Sequence, residues 1–177
     1  YSIITYGCQM NESDSERIAT VLEKDGYKPA KSEKQADLIV INVCSVRQSA
    51  IDRVYALVEK FNKLKTKNLK LKTILAGCIL EKDKKALKDK VAEFWHPSHY
   101  FECQPRYQND FSAFVPIMTG CNNFCSYCVV PYVRGKEISR PAADIVDEVK
   151  LLVKKGHKEI VLIGQNVNSY RSQISHG

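Results

Sequence analysis

The chain has 177 residues, of which 44% are hydrophobic and 27% are charged, so it can bury a core and is not of the disordered type. Seven cysteines are too few for a disulfide scaffold, and reduced thiols indicate a cytoplasmic protein. We expect neither a signal peptide nor a membrane span, because no apolar run is long enough for either.

The formal net charge of +7 is concentrated in one stretch and favours a polyanionic partner such as RNA. A lysine-rich helix face that is merely solvated would have the same composition, so charge alone leaves both interpretations open. The lysines of the stretch that runs from 60 to 90 include Lys63, Lys65, Lys67, Lys70, Lys72, Lys82, Lys84, Lys85 and Lys88.

Predicted strands and helices alternate through the first hundred residues. The strands are apolar runs at 2–6, 37–43 and 72–76, and the second is typical of a strand buried on both faces. Capping boxes at Ser13-x-x-Glu16 and Ser45-x-x-Gln48 predict the starts of two helices. Apolar residues at helical spacing mark the second and third helices, at Ile51, Val54, Tyr55, Val58 and Phe61, and at Leu80, Leu87, Val91 and Phe94.

Each of these strands is followed closely by a cysteine: Cys8, Cys44 or Cys78. Alternating strands and helices predict a doubly wound parallel sheet, in which the residues after the strands share one edge. A lone cysteine is usually a buried core thiol, but three at equivalent strand ends predict a shared metal site. We refer to these three residues as the strand-end cysteines.

A second set of cysteines lies in one short loop with the spacing C-x3-C-x2-C, formed by Cys121, Cys125 and Cys128. Three thiolates this close can bind one iron–sulfur cluster and leave one iron without a protein ligand. A structural zinc site is the alternative, but such sites have four ligands and favour C-x2-C pairs. We refer to these three residues as the loop cysteines.

The chain from 95 to 104 has no sustained period and is predicted to be a linker, with Cys103 a plain thiol. His96 and His99 could be ligands, but histidines in a linker are more often exposed, and exposure is the prediction. A strand at 113–118, a helix after Pro141 and a strand at 159–163 then form a βαβ unit. This unit predicts the opening of an α/β barrel, whose active site would lie at the carboxyl ends of the strands.

Four segments together resemble the methylthiotransferase family of radical S-adenosylmethionine (SAM) enzymes. They are TYGCQMN at 5–11, NVCSVR at 42–47, GC at 77–78 and MTGCNNFCSYCVVPYVRG at 118–135. The residues after Cys8 and the VVPY run are similar to the branch that acts on isopentenylated adenosine in tRNA.

The resemblance implies an N-terminal domain over 1–104 that carries an auxiliary cluster, and the beginning of a radical SAM α/β (partial TIM-type) barrel over 105–177. In the family the barrel continues well beyond this point and is followed by a small RNA-binding TRAM domain, and the first domain is longer. The chain is therefore expected to be a fragment or part of a longer protein.

The resemblance also implies two 4Fe-4S clusters and SAM. The loop cysteines would hold the cluster that binds SAM and forms the 5′-deoxyadenosyl radical, and the strand-end cysteines would hold the cluster that carries sulfur. Tyr127 would lie near the SAM adenine, unless it is a core aromatic, and Gly164, Gln165 and Asn166 would hold the SAM amino group. The expected reaction adds a methylthio group to carbon 2 of isopentenylated adenosine next to the anticodon.

The partners that the family implies are the tRNA anticodon loop and an external electron donor such as a flavodoxin or ferredoxin, and the protein is expected to be a monomer. Three other functions remain open. The substrate of a methylthiotransferase could be threonylcarbamoyladenosine tRNA or a ribosomal protein. The strand-end cluster could be an electron relay for another radical SAM reaction, or the chain could be a non-catalytic metal module that binds RNA.

Overall fold

A computed structural model describes residues 1–65 and 69–172. Of Lys65 only the backbone is described, and Lys67 lies outside these ranges. Within the described ranges, no helix is both long enough and apolar enough to cross a membrane.

The first half of the chain forms a four-stranded parallel sheet with the strand order β1-β2-β3-β4. The strands are β1 (Ser2–Tyr6), β2 (Leu38–Cys44), β3 (Lys72–Cys78) and β4 (Glu93–Trp95). The predicted α/β class with a parallel sheet is confirmed. The second strand is buried along its whole length, as its continuous apolar sequence predicts.

Helices pack on both faces of this sheet, because successive residues of a strand point to opposite sides. Ile39 and Ile41 of β2 pack with α2 (Gln48–Lys65), whereas Leu38 and Val40 pack with α1 (Gln9–Lys24). Each such fully buried aliphatic side chain contributes about 1.5–3 kcal/mol to burial energy. The third helix, α3 (Glu81–Leu87), adds Leu87 to the α2 side of the core.

Two helix starts differ from the prediction. The first helix begins at Gln9, with Cys8 at its N-cap and Asn11 completing the capping box, so the predicted start at Ser13 is wrong. Ser13 instead lies within α1. The second helix begins at Gln48, and the Ser45 hydroxyl has no hydrogen-bond partner among the described residues, so Ser45 does not cap it.

The predicted third helix is also too long. The observed helix α3 ends at Leu87, and Phe94 belongs to the short strand β4. This strand completes the sheet where the sequence had suggested only the end of a helix and a linker. The predicted exposure of His96 and His99 is confirmed.

The second half contains the predicted βαβ unit. Its parallel strands are β5 (Ser112–Pro116) and β8 (Glu159–Ile163), connected through α5 (Ala142–Lys154). The predicted strand at 113–118 is divided, since β6 (Met118–Thr119) pairs antiparallel with β7 (Ile138–Ser139). The short helix α4 (Val130–Arg134) follows the cysteine loop and was not predicted.

The helix α1 contacts both halves of the chain. It packs on the first sheet through Ile18 and Leu22, and the hydroxyl of its Ser13 donates a hydrogen bond to the carbonyl oxygen of Phe114 in β5. This position between the two sheets explains why α1 has buried polar residues on the side away from the first core.

Candidate functional site

Cys44 and Cys78 lie side by side at the carboxyl edge of the first sheet. They are the last residues of β2 and β3 and form the final pair of that register, and both are buried. A hydrogen bond from Cys78 lowers the pKa of Cys44 to about 6, and the same bond raises the pKa of Cys78 well above its usual value. The two thiols therefore interact directly at the end of the sheet.

Cys8 lies at the same edge, two residues after β1, where it caps α1. Its backbone N–H donates to Oδ1 of Asn11 at 3.3 Å. The amide of Asn11 in turn donates to Oδ1 of Asn42 at 2.9 Å and to the carbonyl of Val43 at 3.2 Å. The start of α1, and with it Cys8, is therefore fixed to the strand that ends at Cys44.

Gly77 allows this close approach of strand and helix. It has a φ of +95°, and a Cβ there would lie 2.4 Å from Oδ1 of Asn42 and 2.5 Å from the carbonyl oxygen of Val43. An L-residue would thus be strained both by its backbone conformation and by contact.

A buried arginine connects the strand-end cysteines to the second half of the chain. Nε of Arg134 donates to Sγ of Cys78 at 2.9 Å, and its Nη2 donates to Oδ2 of Asp14 at 2.5 Å. Arg134 is 3% exposed and Asp14 is 1% exposed. Burial lowers the pKa of Arg134, but the neighbouring Asp14, Cys78 and Tyr100 together hold the pKa above its usual value.

The loop cysteines differ in exposure: Cys121 is buried, Cys128 is half-buried and Cys125 is exposed. A turn holds the last two together, because the N–H of Cys128 donates to the carbonyl of Cys125 at 2.9 Å. Gly120 precedes the loop with a φ of +77°, where a Cβ would lie 2.1 Å from the carbonyl oxygen of Lys136. The loop therefore starts from a position that requires glycine.

Helix α4 brings the two cysteine sets near each other. Val133 forms a buried cluster with Cys44 and Cys78, and Val129, which directly follows Cys128, packs against the same cluster. The segment that follows the loop cysteines thus packs against the strand-end pair. The sequence predicted each set but not the packing of α4 against the strand-end pair.

The remaining predicted site residues lie near the loop or the strand end. Tyr127 is 89% exposed, which excludes the core-aromatic interpretation. Gly164, Gln165 and Asn166 directly follow β8, as predicted, and a Cβ on Gly164 would lie 2.6 Å from Cγ of Met118 in β6. Oε1 of Gln165 is buried and has no hydrogen-bond partner among the described residues.

The chemistry of the donors fits iron–sulfur ligation. All seven cysteines are free thiols, and each set provides three of them. Within the described ranges, however, no three His, Cys, Asp or Glu side chains already stand at metal-binding distances from one another. Cys103 remains a plain thiol; its carbonyl oxygen accepts a hydrogen bond from Arg17.

Sequence reasoning gave no role to the buried charges around α1. Asp14 and Arg17 lie one helical turn apart, and Arg17 binds Glu148 of α5 at 3.0 Å. Glu148 also binds Arg140 and accepts a hydrogen bond from Tyr107. One signal was available, because Asp14 is four residues before the core residue Ile18 and so shares its apolar helix face.

The first sheet is joined to a βαβ unit whose first strand is followed by a three-cysteine loop, which is the arrangement that the resemblance to radical SAM enzymes predicts. In agreement, the Radical SAM superfamily model matches residues 115–175. The chain belongs to the family described as Uncharacterized protein family UPF0004, whose model matches residues 1–95.

Similar curated proteins carry the name tRNA-2-methylthio-N(6)-dimethylallyladenosine synthase. The one from Carboxydothermus hydrogenoformans is 41% identical over 207 residues, which cover 98% of this chain and 47% of the relative. The one from Dictyoglomus thermophilum is 38% identical over 207 residues, which cover 99% of this chain and 47% of the relative. The one from Thermotoga petrophila is 36% identical over 205 residues, which cover 100% of this chain and 46% of the relative.

The chain thus spans less than half the length of these relatives. The matched spans are longer than the chain itself, so the relatives have residues within them that this chain lacks. The resemblance to the methylthiotransferases is confirmed by these matches, and the radical SAM match implies one 4Fe-4S cluster and SAM.

Proposed function

We propose that this chain belongs to a tRNA methylthiotransferase that adds a methylthio group to carbon 2 of isopentenylated adenosine next to the anticodon. SAM would serve both as the methyl donor and as the radical source. The observation that carries the proposal is that Val129 and Val133, which follow Cys128, pack against Cys44 and Cys78. Packing of the segment after the loop cysteines against the strand-end pair suits a reaction that needs a radical and a sulfur source close together.

The proposed division is an N-terminal domain over 1–104 that carries an auxiliary cluster, and the beginning of a radical SAM domain over 105–177. Each part has its own parallel sheet, and the two family matches fall on either side of the linker. The buried contacts of Ser13, Asp14 and Arg17 with the second part would hold the two domains in one arrangement.

The loop cysteines would hold the cluster that binds SAM, and the strand-end cysteines would hold a second 4Fe-4S cluster. When bound, the SAM-binding cluster supplies the homolytic chemistry that substitution at an aromatic C–H requires. The protein contributes position: Gly120 and the turn at Cys125 shape the loop, and the asparagine pair fixes Cys8.

Two predicted contacts with SAM fit the geometry. The exposed ring of Tyr127 is free to stack on an adenine. The buried Oε1 of Gln165 needs a donor, and the SAM ammonium group, held with Gly164 and Asn166, would provide one.

The proposed partners are the anticodon loop of tRNA and an external electron donor such as a flavodoxin or ferredoxin. Lys82 and Lys85 are exposed on α3 and would contact phosphates. The protein would act as a monomer in the cytoplasm, where the seven free thiols remain reduced.

The test uses the full-length enzyme with Cys8, Cys44 and Cys78 all changed to alanine. We expect this variant to keep reductant-dependent formation of 5′-deoxyadenosine and to lose the methylthio product on isopentenylated tRNA. Serine in place of these cysteines should not restore the product, because thiolates suit iron–sulfur ligation and hydroxyls do not. A Cys103→Ala variant is the control and should keep both activities.

Two results would contradict the proposal. If the triple variant still forms the methylthio product, the strand-end cysteines do not supply the sulfur. If it stays folded but no longer cleaves SAM, these cysteines form an electron relay for another radical SAM reaction.

A further inference from the structure

Arg134 is the last residue of α4, six positions after the loop cysteine Cys128, yet it contacts the strand-end pair. Its Nε lies 2.9 Å from Sγ of Cys78, and the contact is fully enclosed, since Arg134 and Cys78 are both buried. A buried guanidinium is costly unless a counter-charge accompanies it. Asp14 of α1 provides that counter-charge through Nη2.

The two hydrogen bonds fix the direction of the guanidinium. Nε and Nη2 donate to different partners, so Cys78 and Asp14 together set the orientation of the planar group. A lysine could carry the same charge but could not satisfy both partners in this rigid geometry. Asp14 follows Cys8 on the same helix by six residues, so Arg134 also ties α4 to the helix that begins at a strand-end cysteine.

We infer that Arg134 is a positioning residue for the strand-end site: it orients Cys78 and stabilises added negative charge on an iron–sulfur cluster held there. Reduction potentials of such clusters depend on hydrogen bonds to the sulfurs, on nearby charge and on solvent exposure. A charge-assisted N–H···S bond in a buried site raises the potential, because the reduced cluster is the more negative one. The inference rests on the proposed function of the strand-end cysteines.

Arg140 provides a matched comparison. It too is a buried arginine of the second half, it binds Glu148, and its Nη1 donates to the carbonyl of Pro116 at 2.8 Å. Within the part of the chain that the structure describes, the Arg140 side chain bonds to no cysteine. A change at Arg140 therefore disturbs a buried ion pair without touching the strand-end site.

The experiment uses the full-length enzyme in which the loop cysteines are changed to alanine, so that only the strand-end cluster remains. Into this parent we would introduce Arg134→Lys, the pair Arg134→Gln with Asp14→Asn, and the control Arg140→Lys. The paired change leaves no unpaired buried charge, which protects folding. Circular dichroism, iron content and a reductive titration followed by electron paramagnetic resonance are measured for each protein.

We expect the parent to hold iron, and the paired change to move the midpoint potential to more negative values. Arg134→Lys should move it in the same direction by less, and Arg140→Lys should not move it. Loss of iron in the Arg134 variants alone would also support the positioning role. If the paired variant is misfolded, the midpoint potential and iron content of Arg134→Lys alone test the inference.

An unchanged potential and unchanged iron in the folded Arg134 variants would overturn the inference and leave the proposed second cluster intact. Equal shifts from Arg134→Lys and Arg140→Lys would also overturn it, since they would show a general effect of buried charge. A parent without iron would instead contradict the proposed function of the strand-end cysteines, and with it the inference.

Discussion

Glu148 of α5 accepts a hydrogen bond at 3.0 Å from Arg17 of α1, 131 positions earlier in the chain, and both side chains are buried. The second carboxylate oxygen of Glu148 binds Arg140, and Tyr107 donates to the first. One carboxylate thus joins the helix that carries Cys8 to the βαβ unit that carries the loop cysteines. The contact holds two halves that have separate sheets in one arrangement.

Changing Glu148 to alanine should therefore destabilise the protein strongly, because it leaves Arg17 and Arg140 without their buried counter-charge. Removing one partner of a buried ion pair typically costs about 3–5 kcal/mol. The free energy of unfolding, measured by urea denaturation of the apo protein, checks this.

The neighbouring residue Asp147 is the control for that measurement. It forms an exposed pair with Lys150, so Asp147→Ala should change the free energy of unfolding by less than about 1 kcal/mol. Equal losses from the two variants would show that the buried carboxylate does not hold the halves together.

Gly77 and Gly26 allow backbone strain to be separated from steric contact. Both have positive φ, but a Cβ on Gly26 would have no atom within 4 Å, whereas on Gly77 it would meet Asn42 and Val43. Gly26→Ala should lower the free energy of unfolding only by the cost of the left-handed backbone conformation, about 1–2 kcal/mol. Gly77→Ala should lower the free energy of unfolding, measured by urea denaturation, by clearly more.

The larger loss of stability expected for Gly77→Ala has a local cause that can be checked. The new methyl group must displace the Asn42 amide, which binds Asn11 and so fixes the N-cap at Cys8. We expect the amide protons at the start of α1 to exchange faster in Gly77→Ala than in Gly26→Ala. Similar stability and similar exchange in both variants would contradict the asparagine contact.

The fold and the two cysteine sets were predictable because they depend on periodic patterns and on one topological rule. Parallel strands end at one edge, so the position of Cys44 and Cys78 at a common edge followed from the strand positions alone, whereas their direct pairing did not. Strand β8 was predicted at its observed bounds, since its apolar run lies between Gly156 and Gly164.

The contacts between the two halves were not predictable by the same means. Helix α4 has only five residues, too few to show a helical period, so nothing indicated where Arg134 would point. Asp14 and Arg134 are 120 positions apart, and their pairing depends on how two separate sheets dock. The start of α1 was missed because a cysteine and an asparagine form its capping box in place of Ser and Glu.

The two cysteine sets should bind iron independently. In the full-length enzyme, reconstituted without oxygen, changing the loop cysteines to alanine should leave about half of the iron, because each set supplies three ligands to its own 4Fe-4S cluster. Cys103→Ala should leave the iron content unchanged, since that thiol belongs to neither set. Complete loss of iron, or no loss, in the loop variant would contradict two independent sites.

The lysines of α3 should contribute to tRNA binding by neutralising phosphates. Changing Lys82, Lys84 and Lys85 to glutamine in the full-length enzyme should weaken binding and flatten the dependence of log K on log salt. Each lost phosphate contact lowers that slope by roughly 0.7–0.9. Lys84 forms an ion pair with Glu81 at 2.7 Å, so its share should be smaller than those of its two neighbours.

A matched variant separates a specific patch from net charge. Lys154, Lys155 and Lys158 are exposed at the end of α5 and beyond it, and changing them to glutamine removes the same charge from another surface. Only the α3 variant should change the slope, as measured by filter binding over a series of salt concentrations. If both variants change the slope of log K against log salt by the same amount, the lysines of α3 form a solvated helix face and act through net charge alone.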